Sequence, residues 1–147
     1  MNIIFEILYL LLVFYLLALY YSLFRNVVSH RKETKISLGH KGEELERVVR
    51  AHSNFCETVP INLFLSLILY FNNYYFICFL SLLVMCVGRR VHANSISNVD
   101  EDLNKRRLGM RLTVTSYFIL ILGILYYVGS IIYFHILSKT FSTTLLP

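Results

Sequence analysis

The sequence predicts an all-α integral-membrane protein, a four-helix transmembrane bundle forming a single domain over residues 1–147. Three observations predict it. Hydrophobic residues make up 56% of the chain and charged residues only 16%, which leaves too little charged surface for a water-soluble globule. The charges cluster between apolar runs close to the roughly twenty residues that cross a hydrocarbon core. Thirteen of the 14 Lys and Arg lie in two blocks, Arg25 to Arg50 and Arg89 to Arg111, with Lys139 the exception. A net charge of +5 placed beside membrane spans fits the positive-inside rule, and it argues against nucleic acid as the main partner.

The first apolar run, Ile3 to Phe24, is broken only by Glu6. Without a basic leader or a small-x-small cleavage site, it reads as a retained helix. A polar connection follows, from Arg25 to Glu46, with Gly39 and Gly42 as turn residues. The second span, 47–71, alternates polar and apolar residues up to Glu57 before becoming hydrophobic, so its first turns project beyond the hydrocarbon or face protein. Asn72 and Asn73 mark a turn short enough to make the second and third spans antiparallel neighbours. The third span covers about 74–91. A second polar connection carries Asp100, Glu101 and Asp102, then Lys105, Arg106 and Arg107. The last span, 108–137, exceeds what a bilayer requires, so its start also projects into water. An even number of crossings puts both termini on one side, opposite cytoplasmic basic connections.

Cys56, Cys78 and Cys86 form no C-x-x-C, and neither a disulfide framework nor a metal site is suggested. They read as small core residues. The missing pair also weakens a quinone-linked thiol oxidase, which needs two thiols to exchange. Glu6 is expected to reach the interface from its end of span one, and the Tyr20–Tyr21, Tyr74–Tyr75 and Tyr133 positions fit aromatic belts.

The informative residues are polar ones inside spans, since a charge at the centre of a membrane helix costs about 2.5 to 3.5 kcal/mol on insertion scales. Arg50, Asn54 and Glu57 occupy i, i+4 and i+7 and fall within roughly 60° on one helix face. Glu57 lies about 10 Å deeper than Arg50. Arg47 and Glu43 extend this stripe outward. Arg89 and His92, three apart at the end of the third span, and Arg106, Arg107 and Arg111 at the start of the fourth, approach the same side. A self-satisfied polar seam would explain the stripe equally well. Positive-inside anchoring explains Arg31, Lys32 and Lys105. Several Arg above an amide and a carboxylate suit a small zwitterionic anion, because guanidinium binds carboxylate bidentately and a carboxylate receives an ammonium. Glutathione has that charge pattern. An Arg beside its sulfur would favour thiolate, which is only roughly 3% of a thiol of pKa near 8.5 at pH 7.

Three strings carry a resemblance: Arg47-Val-Val-Arg50-Ala-His52-Ser-Asn54-Phe-Cys-Glu57 with Pro60 following, Gly88-Arg89-Arg90-Val91-His92, and Arg106-Arg107-Leu-Gly109-Met110-Arg-Leu-Thr113. With them the chain resembles the membrane-associated proteins in eicosanoid and glutathione metabolism, the MAPEG family, and most closely its bacterial branch. The resemblance implies a homotrimer of four-helix protomers in a bacterial inner membrane, with glutathione as co-substrate between adjacent subunits near the cytoplasmic side and no metal. It implies that Arg50, Asn54 and Glu57 hold glutathione, that Arg89 and His92 line the same cavity, and that Arg25 reaches a carboxylate. The thiol-activating Arg of enzymatic members falls at the start of span four, where Arg107 is preferred over Arg106 and Arg111. His52 lies about 200° around the helix from Arg50 and is expected to contact another helix. Ile96 stands where eicosanoid-forming relatives carry a Tyr.

The leading expectation is an integral-membrane glutathione-dependent transferase or peroxidase acting on lipophilic electrophiles that arrive through the bilayer. The alternative is a non-enzymatic scaffold or lipid-binding member of the same framework, which Ile96 motivates. A proton-coupled exchanger using Glu6 or Glu57 gives the Arg-rich rim no role.

Overall fold

The computed structural model describes residues 2–39 and 42–144, with side chains for 3–39 and 42–138, so the Lys139 side chain and the last tail residues lie outside the described part. The described residues form four α-helices: α1 (Asn2–Thr34), α2 (Glu43–Tyr70), α3 (Tyr75–Ile96) and α4 (Leu103–Thr144). A helix covers each predicted span, but the helices overrun the apolar runs. α1 continues past Phe24 to Thr34, α3 past Val91 to Ile96, and α4 begins at Leu103 rather than Leu108. Arg, Lys and Glu are good helix formers, so hydropathy marks the bilayer boundary while caps mark the helix ends.

Those caps are specific. α1 stops where Lys35 turns to φ 54°. There the Ile36 N–H reaches the Arg31 carbonyl at 3.2 Å. The Arg31 guanidinium donates to the carbonyls of Ile36, Ser37 and Gly39 at 3.3, 3.2 and 3.0 Å. Arg31, expected to be a membrane anchor, therefore ties down the first connection. Asp102 caps α4, its Oδ1 accepting from the N–H groups of Asn104 and Lys105 at 2.9 and 3.3 Å. Between α2 and α3 the chain turns at Asn73, φ 66°, a conformation Asn tolerates.

Cross-helix contacts set the register. α1 and α2 run antiparallel, pairing Glu6 with Tyr70 and Tyr9 with Ser66 near one end, and Tyr20 with Phe55 and Phe24 with His52 near the other. α3 packs against all three other helices, while α1 and α4 do not touch among the described residues. Half of its membrane-length window (50%) is buried, against 17% for α1 and 11% for α4, so the outer helices present most of their apolar surface outward. By length and composition α1, α3 and α4 can each cross a bilayer. α2 is not among them, because Arg50, Asn54, Glu57, Pro60 and Asn62 dilute its apolar residues. It runs beside α1, α3 and α4 and buries its apolar face with Asn62 and Ser66 in the bundle, while Arg50 and Glu57 stay exposed.

Interhelical polar contacts hold the interior, as expected where apolar contact with lipid competes with apolar contact between helices. The Asn62 amide donates to Ser116 Oγ at 2.6 Å and to Ser81 Oγ at 3.4 Å. Tyr9 and Ser66 share a hydrogen bond of 2.7 Å. The Tyr70 hydroxyl donates to Glu6 at 2.9 Å, which gives Glu6 a protein partner instead of the expected interfacial one. Cys78 and Cys86 are buried as expected, but Cys56 is exposed, with its sulfur 3.6 Å from His52 Nε2.

α3 and α4 approach closely at Gly88 and Gly109. A Cβ on Gly109 would meet the His92 backbone nitrogen at 2.7 Å, and that backbone has no flexible end to yield. Gly109→Ala is therefore expected to separate the two helices locally and destabilise the protein by about 1 to 3 kcal/mol, read as a lower thermal midpoint in detergent.

Candidate functional site

The polar face of α2 opens onto a cleft of about 470 Å³ at the end of the bundle where α2 and α4 begin. That volume lies in the range of small-molecule sites. Arg47, Arg50, Asn54 and Glu57 line it from α2, Ile96 from the end of α3, Glu101 from the α3–α4 connection and Arg106 from α4. The wall is built by helical periodicity: positions 47, 50, 54 and 57 share one face because each is one turn from the next. The opposite face of α2, with Leu45, Val48, Ala51, Phe55 and Val59, is buried in the bundle.

The mouth is not a bare guanidinium cluster. Arg47 donates to Glu43 at 2.8 Å and to Glu101 at 2.9 Å, and Arg106 donates to Glu101 at 3.0 Å. Glu101 thus links α2 to α4, with its side chain only 9% exposed. Arg50 has no carboxylate partner among the described residues. With Glu43, Glu46, Glu57 and Glu101 set against Arg47, Arg50 and Arg106, the lining carries both signs. It suits a ligand that is itself zwitterionic better than a simple anion.

Glu101 was not legible as a site residue, since a connection has no periodicity to show which way a side chain turns. The Arg47 hydrogen bond, assisted by Arg106 and opposed by burial, holds its carboxyl below the usual range. A lowered carboxylate pKa stabilises above the unfolded value, about 4.3, and that stability is lost as pH falls through the folded value. Glu101→Gln is expected to lower the thermal midpoint at about pH 7, with the difference from wild type closing below about pH 4. A constant difference across that range would show that the ion pairs contribute nothing.

The remaining predicted residues are placed elsewhere in the chain. Arg89 is 2% exposed and lies behind the cleft, its guanidinium donating to Asn54 Oδ1, to Thr113 Oγ1, to Thr58 Oγ1 at 3.3 Å and to Met110 Sδ at 3.6 Å. His92 is also 2% exposed, packed against Gly109 of α4 instead of lining the cavity. The reason is common to both: Gly88 and Gly109 draw this face of α3 onto α4. Arg25 is exposed on α1 and does not line the cleft. Arg106 and Arg107 both line an adjacent groove of α4 with Leu103, Met110 and Arg111, and of the α4 guanidiniums Arg106 alone also lines the cleft. A step of one residue turns the side chain by about 100°, which carries Arg107 away from the cleft that Arg106 reaches. His52 contacts another helix, its ring 5.4 Å from that of Tyr20 and 6.2 Å from that of Phe24. Thr58 and Thr113, which receive Arg89, were not expected as site residues, although Thr58 lies one turn beyond Asn54 and Thr113 closes the third motif string.

The model of the MAPEG family matches residues 9–126, from the first turns of α1 to well inside α4. The chain belongs to the MAPEG family. The match takes in all three motif strings and every residue of the cleft. No curated protein matches the chain. A MAPEG chain with these apolar helices is an integral membrane protein.

Proposed function

We propose that this MAPEG protein is a glutathione-dependent transferase or peroxidase acting on lipophilic electrophiles, and that the α2 cleft receives glutathione. The observation that carries the reading is the convergence of Arg50, Asn54, Glu57 and Arg106 on one cleft of about 470 Å³. Arg50, without a carboxylate partner among the described residues, suits a ligand carboxylate, held by two parallel N–H bonds. Glu57, two turns deeper, suits the ammonium. Arg106 supplies positive charge at which a thiolate is favoured.

In the transferase reaction the thiolate sulfur forms a bond to an electrophilic carbon. The electron pair of the broken bond leaves with its halide, or with an epoxide oxygen that then takes a proton from water. In the peroxidase reaction two glutathiones reduce a lipid hydroperoxide, giving the alcohol, water and glutathione disulfide. The protein contributes proximity and electrostatics to either. The outward apolar faces of α1 and α4 suit substrates delivered by the bilayer. We further propose a homotrimer in a bacterial inner membrane, with the basic ends of the helices in the cytosol and both termini opposite. In that assembly exposed Arg25, Arg107 and Arg111 are available to a neighbouring protomer's cleft.

Calorimetric titration of glutathione into detergent-purified protein tests the reading. Saturable binding at one site per protomer or per interface is expected, and absence of binding at millimolar glutathione would overturn it. A second reading, a non-enzymatic binding protein, is favoured by Ile96, which lines the cleft at 6% exposure and offers no hydroxyl to a bound thiol. It predicts binding without ionisation of the thiol.

A further inference from the structure

We propose that Arg89 is a positioning residue: it fixes the Asn54 amide with its oxygen inward, so that the amide N–H₂ faces the cleft and selects a hydrogen-bond acceptor in the ligand. Three elements meet at this guanidinium. α2 supplies Asn54 and Thr58, and α4 supplies Met110 and Thr113. A guanidinium has only donors, so any amide turned to it presents oxygen. The same logic orients the two hydroxyls. Thr58 donates its proton to the Asn54 carbonyl at 2.7 Å, and Thr113 donates to the Gly109 carbonyl at 2.9 Å. Both protons are committed to backbone one turn away, which leaves lone pairs for Arg89.

The network therefore runs in one direction, from guanidinium to oxygen to backbone, and does not survive a flipped amide. No carboxylate belongs to it, so Arg89 is a buried cation held by neutral oxygens and one sulfur. Its Nε finds no partner among the described residues. Asn54 is shared: its oxygen is taken from behind by Arg89, while the residue lines the cleft. The group left for a ligand is a pair of N–H donors. What meets the Asn54 N–H₂ must be an acceptor such as a carboxylate or carbonyl oxygen, and an ammonium cannot take that place. That the ligand is glutathione rests on the proposed function; the orientation of the amide does not.

Asn54→Asp separates the possibilities. It puts a carboxylate oxygen on Arg89, giving the buried cation a counter-charge, and exchanges the donor in the cleft for an acceptor. The thermal midpoint in detergent should rise by several degrees while glutathione Kd, measured by calorimetry, rises at least tenfold. A merely structural role would make affinity follow stability, so this opposite movement is the diagnostic result. A midpoint that falls, or a variant that fails to fold, would show that Arg89 does not address the amide oxygen and overturns the proposal. Unchanged or tighter glutathione binding overturns it as well, because an oxygen would then have faced the ligand from the start. If wild-type protein binds no glutathione, the rise in midpoint still supports the orientation, and only the glutathione reading falls.

Discussion

Arg50→Ala is expected to weaken glutathione binding about thirtyfold in a calorimetric titration, because it removes the cleft guanidinium that no carboxylate among the described residues occupies. A charge-assisted hydrogen bond contributes about 2 kcal/mol, which is roughly thirtyfold in Kd. Arg47 and Arg106 cannot substitute without giving up Glu101, so the loss is not compensated locally. Glu57→Gln, which leaves the shape of the cleft but removes the charge facing an ammonium, is expected to cost about tenfold. Lys32→Ala, on the exposed surface of α1, sets the background. Equal affinities in all three variants would mean that glutathione does not enter this cleft.

Arg106→Ala is expected to leave glutathione bound and suppress its ionisation. If the site lowers a thiol pKa by about two units from near 8.5, thiolate dominates at pH 7; without that help it returns to roughly 3%. Turnover of a lipophilic electrophile should then fall on the order of twentyfold at pH 7 and recover towards alkaline pH, where the thiol ionises unaided. The recovery distinguishes a lost charge from a lost fold. The same pattern in Arg107→Ala and not in Arg106→Ala would mean that α4 of a neighbouring protomer activates the thiol, since Arg107 does not face its own cleft.

How far the sequence was legible depends on what kind of signal each residue carries. The spans were readable because apolar runs reflect the thickness of the bilayer, yet α1, α3 and α4 all continue into polar sequence that forms helix equally well. The end of α1 is set by Arg31 and Lys35 and the start of α4 by Asp102, roles that emerge only from their hydrogen bonds and backbone turn. Arg50, Asn54 and Glu57 were placed correctly on one face, since spacing fixes relative azimuth along a single helix. Spacing does not say which way that face turns within the bundle. Arg89 and His92 were correctly read as neighbours and wrongly directed, because the glycine contact that draws them onto α4 involves a residue on a different helix. Arg106 and Arg107 could not be told apart for the same reason. Glu101 joins the site through a connection, where no period exists to be read.

The most direct test of the account is a thiolate absorbance titration of glutathione bound to the wild-type protein. Ionisation of the bound thiol near neutral pH, about two units below free glutathione, is the predicted result. Glutathione that binds but ionises only at its free value would contradict the catalytic reading and leave a membrane protein that holds the tripeptide without activating it.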